Sequence, residues 1–290
     1  MSIKNLWAGI AFLLLNWTAA AAQGVAQSRA ELVAAGDSLL RKYPFDAEMT
    51  AEIARVYNMD EVNLPQRANA LTKAYCERDS TNLSVLLQFA DSYYFQNDYV
   101  RALPAYERLL ALGDSTYNIY YSIGMCHVRL EQLTEARTYL QRAAEINGHK
   151  STGCLYRLGE VCLALDSLDE SIRYLELAVQ AMEPDQHVMF LAKRALGEAF
   201  YQKGEWWNAI FAWREALKRN QNSLATCFNL AQVYGIVGET ELEKTFYRVF
   251  LSMAAHEKET EELRKWVEQA VKVVGTAYYK KGAILLPPDL

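Results

Sequence analysis

Apolar residues recur along this chain with a helical step: Leu86, Phe89, Ala90 and Tyr93 stand three and four residues apart, with polar residues between them. The helices fall into a repeated unit. Phe89-Ala90, Ile123-Gly124, Leu158-Gly159, Leu196-Gly197 and Leu230-Ala231 each end on a small residue, and successive small residues are 34, 35, 38 and 34 apart. Three residues beyond each stands Tyr93, His127, Cys162, Phe200 or Tyr234, and twelve beyond stands Ala102, Ala136, Ser171, Ala209 or Glu243. Sixteen beyond is Tyr106, Leu140, Leu175, Trp213 or Tyr247, and nineteen beyond is Leu109, Ala143, Ala178, Ala216 or Phe250. A small side chain lets the first helix of a unit (A) approach the second (B), while bulky side chains fill the space around the contact. Hydroxyl, carboxylate and amide side chains suited to cap a helix start punctuate the turns: Asp79-Ser80-Thr81, Asp114-Ser115-Thr116, Ser151-Thr152 and Asn222-Ser223.

This register resembles the tetratricopeptide repeat (TPR) family, whose consensus runs W-x2-L-G-x2-Y, then A-x3-F, A and P. The Leu-Gly-Tyr and Ala-Phe positions match. The first Trp is replaced by Leu86, Tyr120, Leu155, Lys193 and Cys227, and the closing Pro is nearly absent except around Pro184. The resemblance implies an all-α fold, a right-handed superhelical solenoid of antiparallel helix pairs whose A helices line the inner curve. It covers residues 46–254, about six units, the first centred on Ile53-Ala54 and Tyr57 with about two extra residues near Asn63-Leu64-Pro65. Residues 23–45 read as a flanking helix, 255–274 as a capping helix over the last apolar face, and 275–290 as an irregular tail, loose or docked on the solenoid. Two departures carry expectations of their own. Pro104 inside a B helix predicts a kink or a late helix start, and the interval of 38 before Gly197 predicts a lengthened turn or an extra helical turn, a possible hinge.

The first 22 residues are set apart from the fold. Lys4 precedes the apolar run Leu6 to Leu15 and the small-residue stretch ending at Ala22, the layout of a secretory leader cleaved after Ala22 or, second, after Ala26. The expected mature protein is exported and soluble, periplasmic or associated with the cell envelope, with no transmembrane segment. Asp37-Ser38-Leu39, the two Asp-Ser-Thr triplets and Asp166-Ser167-Leu168 resemble the O-glycosylation motif of exported Bacteroidota proteins, and ordinary turn and cap usage explains them equally well.

Composition and charge narrow the chemistry. Only 14 glycines and 6 prolines in 290 residues agree with a helical chain, and 51% hydrophobic residues supply a sizeable core. A net charge of -5 gives no counterion-release drive toward nucleic acid, and no nucleic-acid partner is expected. Neither the four histidines nor the five cysteines fall at a metal-ligand spacing, and no cofactor or metal is expected. His127 takes the repeat's Tyr position and reads as a core residue. Cys126 and Cys162 occupy adjacent repeat positions, which leaves open a disulfide or two small buried hydrophobes. No nucleophile elbow or phosphate-binding glycine loop is present. Glu160 and Glu198, at one repeat position on neighbouring units, follow Arg157 and Arg194, which predicts an ion-pair ladder rather than an acid and base pair.

The resemblance then assigns an inner, partner-binding groove to Leu87, Gln88, Asp91, Tyr94, Tyr121, Met125, Tyr156, Arg157, Glu160, Arg194, Glu198, Tyr201, Phe228, Asn229 and Gln232. Tyr and Arg are favoured at protein interfaces because they join large contact area to directional polar groups. The expected function is a non-catalytic scaffold or adaptor holding a peptide or protein segment, with capture of an oligosaccharide in nutrient uptake as the alternative.

Overall fold

The computed structural model describes residues 25–180 and 186–275, which contain fourteen α-helices and no strand among the described residues. They are α1 (Val25–Lys42), α2 (Ala47–Asn58), α3 (Pro65–Cys76), α4 (Leu83–Phe95), α5 (Tyr99–Ala111), α6 (Tyr117–Arg129) and α7 (Leu133–Ile146). There follow α8 (Thr152–Ala164), α9 (Leu168–Gln180), α10 (Gln186–Gln202), α11 (Trp206–Leu217), α12 (Leu224–Ile236), α13 (Thr240–Ala254) and α14 (Glu261–Val274). The leader expected over residues 1–22 lies outside the described residues, as does the expected tail beyond Gly275. No helix of the described residues is long and apolar enough to cross a membrane.

The chain forms two compact units that divide between Tyr139 and Leu140, within α7. In the first, α2 pairs with α3 and α4 with α5, and α2 also lies against α4. In the second, α8 pairs with α9, α10 with α11 and α12 with α13, with α8 against α10. Contact between every second helix sets A helices side by side. Both units are therefore built as all-α helical repeats.

In four of the A helices the small residue meets the large residue sixteen positions on. A Cβ added at Gly159 would stand 2.6 Å from Leu175 Cγ, and one added at Gly197 would stand 2.6 Å from Trp213 Cε2. Ala90 shares a core with Tyr106, and Ala231 with Tyr247. The turn that brings B back onto A is the same in five units. Asn97, Glu131, Asp166, Gly204 and Gly238, each seven residues after the small one, have φ between 57° and 84°. The next amide donates back five residues, as from Asp98 N to Tyr93 O and from Glu205 N to Phe200 O, both at 2.9 Å. This left-handed stop satisfies carbonyls left open at the helix end. Only two of the five residues are glycine, so the packing of B on A imposes the conformation even on Glu131.

The departures from even spacing resolve individually. α10 has 17 residues where α4, α6, α8 and α12 have 13, so an added helical turn absorbs the long interval; residues 181–185 lie outside the described ones. The two extra residues of the first unit lengthen the connection from α2 to α3, where Asn63 has φ 50° and Pro65 begins the helix. Pro104 does not delay α5: Asp98 caps it by accepting from Arg101 N, and the helix starts at Tyr99. Pro104 is itself exposed, on the solvent side of the helix. Asp79 accepts from both N and Oγ1 of Thr81, and Asp114 likewise from Thr116, so these triplets fold as side-chain turns.

No disulfide joins the five cysteines, four of which are buried, so Cys126 and Cys162 are packing residues. His127 is buried, stacked on Tyr139 at 5.3 Å, with Nδ1 2.7 Å from Gln132 Oε1. At the end of the second unit α14 lays Trp266 flat on Phe228, 4.9 Å between ring centroids and 13° between planes, and buries Ala270 against the same core.

Candidate functional site

The A helices of the second unit enclose an open cavity of about 380 Å³. Glu160, Leu163 and Ala164 line it from α8, Arg194, Ala195, Glu198 and Gln202 from α10, and Ala225 and Asn229 from α12, with Trp213 of α11 behind them. Glu160 and Glu198 are the same register position in two successive repeats, one past the small residue. Glu198 and Gln202 are one turn apart on one helix face, and Gln202 Nε2 donates to Glu198 Oε1 at 3.0 Å.

The carboxylates here are engaged as hydrogen-bond acceptors. Arg157 pairs with Glu160 at 2.8 Å, and the Tyr156 hydroxyl donates to the other oxygen of Glu160. Burial, with the Glu160 carboxylate second, holds the Tyr156 hydroxyl well above the ordinary phenol range, so it stays a donor. Half of the expected ladder forms. Among the described residues no ion pair joins Arg194 to Glu198, whose oxygen takes Gln202 instead. The Trp213 ring nitrogen donates to the Arg194 carbonyl at 3.0 Å, tying the back of the cavity to α10.

Four residues assigned to the groove by register alone reach it: Glu160, Arg194, Glu198 and Asn229. Arg157 and Gln232 are half-buried beside it, and Tyr201 is half-buried with its ring 5.3 Å from Trp206 and 5.8 Å from Trp213. Tyr156 and Phe228 are each 3% exposed and are corrected to packing residues. Tyr156 turns onto Glu160, and Phe228 is covered because α14 takes the place a further A helix would have, stacking Trp266 on it. Leu163, Gln202 and Trp213 were missed. The first two continue the same face by one turn, and Trp213 is the large member of the small–large pair, which register identifies only as core.

In the first unit the assigned positions form a polar network. Asp91 Oδ1 accepts from the Tyr106 hydroxyl at 2.6 Å and Oδ2 from Gln88 Nε2 at 3.3 Å. Gln88 accepts in turn from Asn58 Nδ2, through its carbonyl at 3.1 Å and its Oε1 at 3.3 Å. Burial raises the Asp91 carboxyl to about 6, against the lowering effect of the Tyr106 and Gln88 hydrogen bonds. Leu87, Tyr94 and Tyr121 are half-buried, with Tyr94 edge-on to Tyr99 at 5.3 Å and Tyr121 stacked on Tyr117 at 5.7 Å. Gln88 and Met125, 8% and 5% exposed, are corrected to buried positions; Gln88 spends its amide on Asn58 and Asp91.

Stacked A helices with bulk alternating across each A–B contact decide the architecture. The fold is a TPR-type helical repeat solenoid. The chain is similar over residues 95–178 to the family model for anaphase-promoting complex, cyclosome, subunit 3. Tetratricopeptide repeat protein 8 of Caenorhabditis elegans is 23% identical over 147 residues, which is 50% of this chain and 28% of that protein. BBSome complex member BBS4 of Bos taurus is 27% identical over 95 residues, 33% of this chain and 18% of that protein. The chain thus spans less than a third of the length of these relatives. Among solved TPR-type structures, YrrB, described as a TPR protein with an unusual peptide-binding site, superposes with TM-score 0.57 and 22% identity over 66% of this chain and 95% of its own. The C-terminal part of a TPR repeat-containing protein from Cytophaga hutchinsonii superposes with TM-score 0.63 and 16% identity over 79% of this chain and 87% of its own.

Proposed function

We propose that this chain is a non-catalytic scaffold or adaptor that holds an extended peptide or protein segment along its A helices, exported to the periplasm or cell envelope. The cavity of the second unit carries the reading: three successive repeats point charged and amide side chains into one open space, as ligand recognition along a solenoid requires. Glu160, Arg194, Glu198 and Asn229 offer donors and acceptors spaced by the helix-to-helix step, which suits a main chain running across the helices. Its one aromatic lining residue, Trp213, is 1% exposed and presents no stacking platform, which favours a peptide over a sugar. YrrB, of similar fold, is described as having a peptide-binding site. A scaffold also agrees with carboxylates that are already occupied by Arg157, Tyr156 and Gln202.

Screening the full chain against a library of extended decapeptides tests the reading. The retained peptides are expected to bind Arg194→Glu at least tenfold more weakly and Asn229→Ala several-fold more weakly, with unchanged circular dichroism. Wild-type affinity in both variants would move the site elsewhere. Export has its own measurement: Edman sequencing of protein from a periplasmic fraction is expected to begin at Gln23, and a full-length N-terminus in the cytoplasm would remove the leader assignment.

A further inference from the structure

Asp91 sits in the first unit as a carboxylate with neutral neighbours. It occupies the register position that Glu160 and Glu198 occupy in the second unit, one past the small residue, where those side chains line the cavity. Its hydrogen-bond donors, Tyr106 and Gln88, carry no charge, and among the described residues no Lys, Arg or His pairs with it. Three arginines of the unit are paired elsewhere: Arg55 with Glu52, Arg67 with Asp37, Arg101 with Asp98. A carboxylate accepts about four hydrogen bonds and this one receives two. A second acceptor of the same network is unsatisfied behind it: Asn58 is 4% exposed and its buried Oδ1 has no partner. A carboxylate withdrawn from water without a counter-charge is costly, and a donor-rich cation relieves that cost. Tyr94, one turn on along α4, is a half-buried ring of the kind that supports an approaching cation.

We propose that Asp91, backed by Tyr106, Gln88 and Asn58, is a cation-accepting subsite that takes a Lys or Arg side chain of the bound segment. This deepens the scaffold reading and rests on it. A segment held on the first unit is then basic at the residue that crosses α4.

Four sets of N-acetylated, otherwise randomised decapeptides, with the central residue fixed as Lys, Arg, norleucine or Glu, test it on the full chain. The acetyl group removes the terminal amine as a competing cation. Wild type is expected to retain the Lys and Arg sets about tenfold over norleucine and to reject Glu. Asp91→Asn, which keeps an oxygen acceptor for Tyr106, is expected to lose that preference and to retain the Lys, Arg and norleucine sets about equally. The preference is also expected to weaken between pH 7 and pH 5. The titratable groups facing Asp91 are Tyr106 from α5 and Cys126 from α6, the thiol pushed up to about 12 and the phenol higher still, so both stay neutral across that range. Peptide binding without a basic preference, or a preference that survives Asp91→Asn, overturns the subsite and leaves the scaffold reading standing. Capture of none of the four sets overturns both.

Discussion

Gly197→Ala is expected to destabilise the second unit by about 2 kcal/mol. Helix propensity alone gives the opposite sign, since glycine inside a helix costs about 1 kcal/mol relative to alanine. The new methyl, however, falls against the indole of Trp213, including a position 2.6 Å from Cε2. Trp213 cannot retreat: it is 1% exposed, and its ring nitrogen is bonded to the Arg194 carbonyl at 3.0 Å. Overpacking of about 1–3 kcal/mol and the weakening of a bond worth about 1 kcal/mol together outweigh the gain. Gly159→Ala meets Leu175, a flexible side chain, and is expected to cost about half as much. Urea unfolding followed by circular dichroism checks the order. Equal losses at the two sites, or a gain at Gly197, would remove the close-approach account of the small position.

Asp91→Asn is expected to stabilise the first unit by about 2 kcal/mol at pH 7 and to make little difference below pH 4. The folded carboxyl titrates at about 6, the unfolded one near 3.9. Between those values the folded chain holds a proton that the unfolded chain has released, so stability falls as pH rises through the window. The span corresponds to about 3 kcal/mol at 1.4 kcal/mol per pH unit, of which the loss of one charge-assisted hydrogen bond from Tyr106 takes back about 1 kcal/mol. Unfolding wild type and variant side by side at pH 4, 5, 6 and 7 cancels the other carboxylates. A difference that does not change with pH, or that shrinks as pH rises, would show that Asp91 is not the half-buried acid without a cationic partner described here. The same charge that weakens the free protein is the one a basic ligand neutralises.

How much of this was legible in the residues depends on what kind of contact each position makes. The pairs Gly159–Leu175 and Gly197–Trp213 are local, sixteen residues apart within one helix pair, and spacing alone finds them. Inner positions are harder, because register gives the direction of a side chain but not what covers it. Phe228 points inward like its equivalents and is buried because α14 happens to follow. Arg194 and Glu198 have an ion-pair spacing, yet Gln202 is spaced from Glu198 equally well, and alternatives on a helix surface differ by only about 0.2–0.5 kcal/mol. The Asp91 network joins α2, α4 and α5, and nothing in the spacing of Asn58, Gln88 and Tyr106 announces that they meet.

The added turn of α10 shows how such a chain can change length without changing aim. Four residues wind a helix by about 400°, one revolution with roughly 40° to spare, and lengthen it by about 6 Å. The chain therefore arrives at α10 from nearly the same side as it would without them, and Arg194 and Glu198 keep their bearing. Growth by two residues would swing that arrival point by about 200°, to the opposite wall of the helix. Length variation inside these helices is thus quantised, and whole revolutions are the increments that leave the recognition surface in place.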